Sequence, residues 1–343
     1  MKTLSKLIGI IVILTTITSV SNAQGFDSTQ IGKEYPYLLP ILGNKAYTRG
    51  YKFQLPHGIM VNSIYNEQNI LLENFKMAIN DGDFIDLADN IIFGPSSADI
   101  KTFNFRADTW IFPFLSVGGY YGQYKGTTSV RLEGLKNSVG EPILEALFPI
   151  ETFSDADGAY WGFNVLGIIP AGPVNLAVDY SWSWSQNELL NKPVRVDVSG
   201  IRVIKNFKVG KKPDMFLGVW TGAQFNKLGA LTDGEIVLGD LGRSAGAVNQ
   251  TALQEQWQEL TTSNDWNQFS AGEQETIEAL YNKARGIEDT VIKYQFNKSL
   301  EYKWNMLLGG NFQLNRHFQF RTEYGFLKSK KTLMFSANYR FGL

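Results

Sequence analysis

Residues 333–343, LMFSANYRFGL, alternate between apolar and polar or small side chains along their whole length. Leu333, Phe335, Tyr339 and Phe341 occupy one phase of this alternation, and the residues between them occupy the other. A period of two is that of a β-strand, because successive side chains point to opposite faces. The end of the chain is therefore predicted as a strand with one apolar and one polar face.

The same alternation recurs upstream in residues 102–111, 174–183, 302–313 and 318–326. Of all residues, 13% are aromatic and only 19% are charged, and the polar phase is mixed with glycine. A soluble sandwich would instead carry many charges on its outward face. Alternating segments of about 10 residues with aromatic ends are typical of membrane barrels, whose apolar face meets lipid. A secreted sandwich or lipocalin-like barrel is the alternative.

The predicted strands are residues 57–67, 99–111, 114–124, 159–168, 173–184, 194–206, 214–226, 300–314, 317–327 and 331–342. Their connections alternate between long loops and tight turns that contain Pro, Gly or Asn. In bacterial barrels the tight turns are periplasmic, the long loops are extracellular and the strand number is even. We therefore expect an all-β, antiparallel transmembrane β-barrel of about 10 strands. Residues 57–79 are expected to form one long strand, and twelve strands is the alternative.

The N-terminus has the features of a secretory signal peptide over residues 1–23. Two lysines precede an apolar run over residues 7–14, which is shorter than the roughly 20 residues that a spanning helix needs. Ser21 and Ala23 are the small residues expected before a cleavage site. The mature protein is therefore expected to be exported.

Within the mature chain, residues 24–56 are expected to form a periplasmic N-terminal arm or a small plug, and residues 57–343 the barrel. The chain has no cysteine, which excludes a disulfide scaffold, a thiolate metal site and a cysteine nucleophile. Its net charge of -1 argues against nucleic-acid binding, because neutralising phosphates needs a basic surface. No metal or other cofactor is expected.

Taken together, the signal peptide and the aromatic alternating segments resemble the integral outer-membrane β-barrel proteins of Gram-negative bacteria. The terminal strand, with Tyr339, Phe341 and Leu343 in one phase, is similar to the signal that the barrel-assembly machinery reads. A departure from that signal is that leucine, not an aromatic residue, ends the chain. Cleavage before Gln24 also resembles exported proteins of the Bacteroidetes group. The resemblance implies an outer-membrane location, with membrane lipid and the assembly machinery as partners.

Charged residues assigned to inward phases are candidates for the lining of the lumen. They are Arg106, Asp108, Asp179, Arg195, Asp197, Arg202, Lys303, Arg321, Glu323 and Arg340. Such interleaved signs favour a lumen braced by ion pairs, and a solute pathway lined by charge is the alternative. Because ten strands enclose little more space than side chains can fill, a general porin is not expected.

The two histidines, His57 and His317, both begin predicted strands, which places them at the periplasmic rim. General base catalysis needs a histidine within hydrogen-bond reach of its partner. We therefore expect no catalytic residue and no enzyme activity. A membrane-embedded hydrolase that uses carboxylates without histidine is the least favoured hypothesis.

The longest predicted connection, residues 227–299, has helical character and includes Ser270 and Glu273 at the spacing of a capping box. It is interpreted either as a lid over the barrel mouth or as a loop that binds a partner through Trp257 and Trp266.

Two main functions follow from these patterns. The first is a largely filled barrel whose extracellular loops bind a ligand or protect the surface, and the second is a narrow channel for a small solute.

Overall fold

The computed structural model describes residues 27–155, 157–186, 193–210, 212, 214–228, 232–237, 248–286 and 292–343, so the predicted signal peptide lies outside the described residues. The helices are α1 (Gly43–Tyr47), α2 (Gln250–Thr262) and α3 (Ala271–Ala284), with 3-10 turns at Ser28–Gln30, Glu145–Leu147 and Trp266–Gln268. Among the described residues, no helix has the length and hydropathy needed to cross a membrane.

The strands are β1 (His57–Ile79), β2 (Ile85–Asp86), β3 (Ile91–Phe93), β4 (Ser96–Phe112), β5 (Leu115–Lys136), β6 (Pro142–Ile143), β7 (Ile150–Asp155), β8 (Gly158–Ala171), β9 (Val174–Gln186), β10 (Val194–Lys208), β11 (Phe216–Leu228), β12 (Thr232–Val237), β13 (Ile292–Leu300), β14 (Trp304–Gln313), β15 (Phe318–Leu327) and β16 (Lys330–Phe341). Ten of them close into an antiparallel barrel in the order β1, β4, β5, β8, β9, β10, β11, β14, β15 and β16.

The barrel closes where β16 returns to β1, with His57 opposite Phe341 and Glu67 opposite Lys331. The prediction of a ten-strand antiparallel barrel is therefore confirmed, and β1 is one long strand as expected. The twelve-strand alternative is wrong. The other six strands are not part of the closed wall. β2 and β13 pair with β1, whereas β3, β6 and β7 pair with β5, and β12 pairs with β13.

The barrel wall is apolar outside and polar inside. Exterior side chains that are more than a third exposed include Ile59, Phe103, Phe105, Tyr121, Trp161, Phe163, Ile201, Leu308, Phe320, Tyr324 and Phe335. Buried inward side chains include Asn62, Asn104, Asn164, Asn305, Ser336 and Asn338. This arrangement suits a barrel surrounded by lipid, because lipid accommodates the apolar exterior and closure leaves no unpaired strand edge.

A second packed region lies at the barrel end that carries the long connections. We call it the cap, and it comprises residues 70–95, 129–155, 248–286 and 292–300. Its buried core is apolar and includes Phe75, Met77, Leu87, Leu135, Leu147, Leu253, Ile277, Leu280 and Phe296. The cap therefore has the core of a water-soluble domain, with helices α2 and α3 packed on extended strands.

Helix α3 of the cap begins at the predicted capping box. The Ser270 side chain accepts a hydrogen bond from the Glu273 backbone N–H, and Glu273 Oε2 accepts one from the Ser270 N–H at 2.7 Å. These bonds satisfy two backbone donors that the first turn of a helix leaves unpaired. The prediction of short helices within the long connection over residues 227–299 is confirmed.

Residues 27–56, which we call the lower segment, lie at the opposite end of the barrel, beside the short turns. The Tyr35 ring packs against Phe53 with the ring centroids 5.0 Å apart. The Trp110 N–H of β4 donates to the Pro56 carbonyl at 2.9 Å, which joins the segment to the barrel wall. Several side chains of the segment line the lumen from below.

Candidate functional site in the barrel lumen

Glu323 is the centre of an ion-pair cluster inside the barrel. Arg202 of β10 donates to both of its carboxylate oxygens, from Nε at 2.7 Å and from Nη2 at 3.0 Å. Arg321 Nη2 donates to Glu323 Oε2 at 2.8 Å, and Arg202 also pairs with Asp179 of β9. Because two strands separate β10 from β15 around the wall, this cluster braces the lumen from within.

Trp220 of β11 extends the same cluster. Its Nε1 donates to Glu323 Oε2 at 2.8 Å, and the Arg321 guanidinium lies 4.8 Å from the ring centroid. The indole lies directly over Gly309 of β14, where a Cβ atom would overlap the ring. Glycine is therefore required at position 309 for this ring to reach the carboxylate.

A second cluster lies nearer the lower segment. Arg340 is 3% exposed, and its Nη1 donates to Asp108 Oδ1 at 3.0 Å. Its Nε and Nη2 donate to the carbonyls of Leu55 and Pro56 at 2.9 and 3.3 Å. Arg340 therefore links β4 and β16 to the end of the lower segment. Arg106 Nε lies 3.8 Å from Asp108 Oδ2, which is an ion pair but not a hydrogen bond.

Between these clusters the lumen contains a cavity of about 900 Å³. Its lining at mid-barrel includes hydrogen-bonded polar side chains, where Asn62 Nδ2 donates to Asn104 Oδ1 at 2.6 Å. Asn104 Nδ2 in turn donates to Tyr160 Oη at 2.7 Å. Tyr35, Tyr47 and Phe53 of the lower segment line the cavity from below. The lumen is therefore not filled with side chains along its whole length.

Positive charge exceeds negative charge on the barrel wall that lines this cavity. The wall contributes Arg106, Arg202, Arg321 and Arg340 against Asp108, Asp179 and Glu323. The lower segment and the turns add two cations, Lys52 and Arg316, and two anions, Asp27 and Asp214. The excess of one positive charge is therefore unchanged. Within the described chain, Nε of Arg106 and Nε of Arg321 have no hydrogen-bond partner. Both atoms are buried, so neither faces the open part of the cavity.

The lower segment carries an ion pair of its own, between Lys52 Nζ and Asp27 Oδ2 at 3.1 Å. Hydrogen bonds from Thr29 and the contact with Lys52 lower the pKa of Asp27 to about 2. Asp27 therefore stays ionised, and can keep this pair, well into the acidic range. Burial raises the pKa of Tyr35, so its phenol is neutral where it lines the cavity.

Seven of the ten charged residues predicted for the lumen meet there: Arg106, Asp108, Asp179, Arg202, Arg321, Glu323 and Arg340. Each of their three carboxylates contacts at least one of their four guanidinium groups. The structure thus brings together side chains from β4, β9, β10, β15 and β16. Their role as a solute lining stays a prediction.

The other three charged residues do not line the cavity. Asp197 lies opposite the outward-facing Trp182, and Arg195 pairs with it at 2.9 Å on the exterior of the barrel. Arg195 and Arg202 are seven residues apart in one strand, an odd separation that places them on opposite faces. Lys303 is exposed and precedes β14. The assignment of these residues to the lumen is therefore corrected.

The histidines lie at the lower end of the barrel and do not line the cavity. His57 Nδ1 is 3.0 Å from Thr109 Oγ1, and His317 Nδ1 is 2.8 Å from the Arg340 carbonyl. Both contacts are local to strand ends. Among the described residues, no group of His, Asp and Glu has the arrangement of a metal site.

Trp257 and Trp266 are internal contacts of the cap. Trp257 stacks on Tyr281 with centroids 4.3 Å apart and lies 5.3 Å from the Trp266 ring. Both rings are partly buried against the cap core. Each ring therefore has part of its surface covered within the cap, and the role of Trp257 and Trp266 as possible anchors for a partner stays a prediction.

The residues of the predicted assembly signal lie at the end of β16. Tyr339 is 44% exposed on the barrel exterior, and its ring lies 6.2 Å from that of Phe341. Leu343 follows the strand and is 78% exposed. Their role in barrel assembly stays a prediction.

Four further residues shape the cavity and were not among the predicted site residues: Trp220, Asn62, Asn104 and Tyr160. A signal for Trp220 was present, because it alternates with Gly218 and Gly222 in an inward phase of β11. The asparagines and the tyrosine carry no charge and differ little from ordinary polar-phase residues. Their contact with each other depends on the register between β1, β4 and β8.

No protein-family model and no curated protein sequence matches the chain. Among solved structures, it is similar to the β-domain of the Bordetella autotransporter BrkA, with a TM-score of 0.34, 5% identity, and coverage of 84% of this chain and 100% of that one. The translocator domain of NalP from Neisseria meningitidis has a TM-score of 0.31 and 11% identity, with coverage of 83% and 88%. An outer membrane channel from Pseudomonas putida F1 has a TM-score of 0.29 and 8% identity, with coverage of 84% and 97%.

Proposed function

We propose that this protein is an outer-membrane barrel whose lumen binds and conducts a small anionic solute. The observation that carries the proposal is the cavity of about 900 Å³, whose wall contributes four arginine side chains against three carboxylates. The apolar exterior supports a membrane location. The short turns at the lower end support a periplasmic position for that end, with the cap outside the cell.

The excess of one guanidinium on the cavity wall favours anions over cations. Arg202 and Arg340 are fully engaged with carboxylates and backbone carbonyls. Arg106 has a loose ion pair of 3.8 Å with Asp108, and Arg321 donates one hydrogen bond to Glu323. These two guanidinium groups are therefore the ones proposed to bind a solute carboxylate or phosphate, which guanidinium groups bind through directional N–H donors. Trp220 and Tyr160 add aromatic surface for an apolar part of the same solute.

In this proposal the lower segment is a plug. It lines the cavity from below and is held by Arg340 at the Leu55 and Pro56 carbonyls. The carboxylates of the lumen are engaged by arginine, which makes the hydrolase hypothesis less attractive than solute binding. A surface role for the cap, as a lid or as a binding region, stays a prediction.

Planar-bilayer recording of the purified protein tests the proposal. We expect discrete openings with a reversal potential that indicates anion preference in asymmetric KCl. Arg106→Glu should shift the reversal potential toward cations, whereas Arg195→Glu, on the exterior of the barrel, should leave it unchanged. A variant that lacks residues 27–50 should show a larger conductance.

A heat-modifiable shift in gel mobility would verify that each variant is folded. The absence of openings in both the full chain and the deletion variant would support the filled-barrel hypothesis and contradict the channel. Cation preference in the unmodified protein would contradict the anionic solute class.

A further inference from the structure

The lower segment carries an exposed apolar tip, residues Leu38–Leu42, that the solute proposal does not use. Leu38 is 91% exposed, Leu42 55% and Ile41 49%. The tip has no charged residue, and it is bracketed by Glu34 and Lys45. Single exposed apolar residues are common on protein surfaces, but a contiguous group of them marks an interaction site.

The tip faces away from the lumen. Tyr35 and Tyr47 line the cavity, whereas Leu38, Ile41 and Leu42 do not. Leu42 adopts a φ of 66°, in the left-handed region that L residues rarely occupy. The turn that contains Leu42 is closed by a hydrogen bond of 2.7 Å from the Gly43 N–H to the Pro40 carbonyl. The fold therefore holds these side chains outward in a fixed position.

The tip is also fastened to the edge of the lipid-facing wall. The Ile41 N–H donates to the carbonyl of Ile111 at 2.8 Å, at the lower end of β4. β4 is a wall strand whose outward side chains Phe103 and Phe105 are apolar and more than half exposed. The exposed apolar tip is thus joined to the lower end of the apolar exterior of the barrel.

We propose that Leu38–Leu42 inserts into the membrane beside the barrel, with the acyl chains of the periplasmic leaflet as its partner. The continuity with the lipid-facing wall and the absence of charge favour lipid over a water-soluble protein. Insertion removes three large apolar side chains from water and anchors the lower segment at the rim of the lumen. This inference rests on the proposed membrane location and is independent of solute conduction.

The absence of cysteine from the chain makes single-cysteine labelling direct. Leu38→Cys would carry a nitroxide label in the full-length protein, reconstituted in dioleoylphosphatidylcholine vesicles. Collision rates with oxygen, which partitions into lipid, and with a water-soluble nickel chelate would be measured by EPR. Phe105→Cys on the barrel exterior is the lipid reference, and Val139→Cys in the cap, where the native side chain is 74% exposed, is the water reference.

We expect the oxygen-to-nickel collision ratio at position 38 to be several-fold above that at position 139 and within about twofold of that at position 105. A ratio equal to that at position 139 would overturn the proposal. Poor access to both reagents would also overturn it, because it would show that protein covers the tip. The label at position 105 keeps the tests separate, since a water-like ratio there would contradict the membrane location itself.

Discussion

Phe335 in the barrel wall and Ile277 in the cap are both apolar, yet the structure places them in opposite surroundings. Phe335 is 55% exposed on the outer face of the barrel, and Ile277 is 0% exposed inside the cap. Two glutamates have the opposite distribution of burial. Glu323 is buried inside the barrel, whereas Glu278 of the cap is exposed on α3. Lipid outside the barrel and water around the cap explain the difference. One chain therefore follows two opposite patterns of burial.

The largest effect is expected for Ile277→Asp in the cap core. A buried, unpaired charge should destabilise the cap by about 4 kcal/mol or more. The measurement is limited proteolysis of residues 248–286 in reconstituted vesicles, where we expect rapid cleavage. Glu278→Asp, at the exposed neighbouring position, is the control and should leave cleavage unchanged. If Ile277→Asp also abolishes the heat-modifiable barrel band, the two regions do not fold separately.

Glu323→Gln tests the interior of the barrel. It leaves Arg202 and Arg321 without their shared carboxylate, and breaking a buried ion pair costs about 3–5 kcal/mol. Equilibrium unfolding in guanidinium, followed by tryptophan fluorescence, would measure the loss. The control is Glu67→Gln, which removes the exposed 3.0 Å pair with Lys331 and should cost about 1 kcal/mol or less. Equal losses at the two positions would show that the Glu323 cluster does not brace the lumen.

Phe335→Arg places a charge on the lipid-facing wall. At the depth of the membrane midplane this should cost about 2–4 kcal/mol, because lipid does not solvate the guanidinium. Folding titrations into vesicles would measure the change, and Phe335→Leu, which keeps the surface apolar, is the control. A gain in stability on Phe335→Arg would indicate that water, not lipid, surrounds this face.

Gly309→Ala separates the two faces of one strand. A methyl group at position 309 would meet the Trp220 ring inside the barrel, and such overpacking costs about 1–3 kcal/mol. At Gly310, on the opposite face, the nearest atom to an added Cβ is 3.6 Å away. Gly310→Ala is therefore the matched control and should be nearly neutral in the same unfolding assay. A neutral Gly309→Ala would contradict the position of Trp220 over β14.

The smallest effect is expected for Ser270→Ala at the start of α3. The change removes one half of the capping box, which is worth about 1 kcal/mol in helix stability. Hydrogen exchange of the first-turn amides of α3 should become faster, with the barrel amides unchanged. Ser270→Thr keeps the acceptor oxygen and should preserve protection. Unchanged exchange in Ser270→Ala would show that the cap core alone holds this end of the helix.

The outcome for the charged residues shows how far sequence patterns reach. The i, i+2 spacing places Arg106 and Asp108 on one face of their strand, and Arg321 and Glu323 on one face of theirs. Once the strand and its phase are known, that face is the interior of the barrel for both pairs. The prediction for Arg195 is wrong because Arg195 lies an odd number of residues before the inward Arg202 in β10, and so on the opposite face. The contacts of Trp257 within the cap could not be predicted, because a helical apolar stripe does not reveal which other elements will pack against it.

The strand number, the antiparallel closure and the apolar exterior could be predicted from the amino-acid pattern, because a period of two and alternating loop lengths are local properties of the chain. Which inward side chains meet across the lumen depends on how the strands close into a barrel. Glu323 reaches Arg202 over two intervening strands, and that contact depends on the register of every strand between them. The cavity and the position of the lower segment arise from the same closure, so no single stretch of sequence contains them.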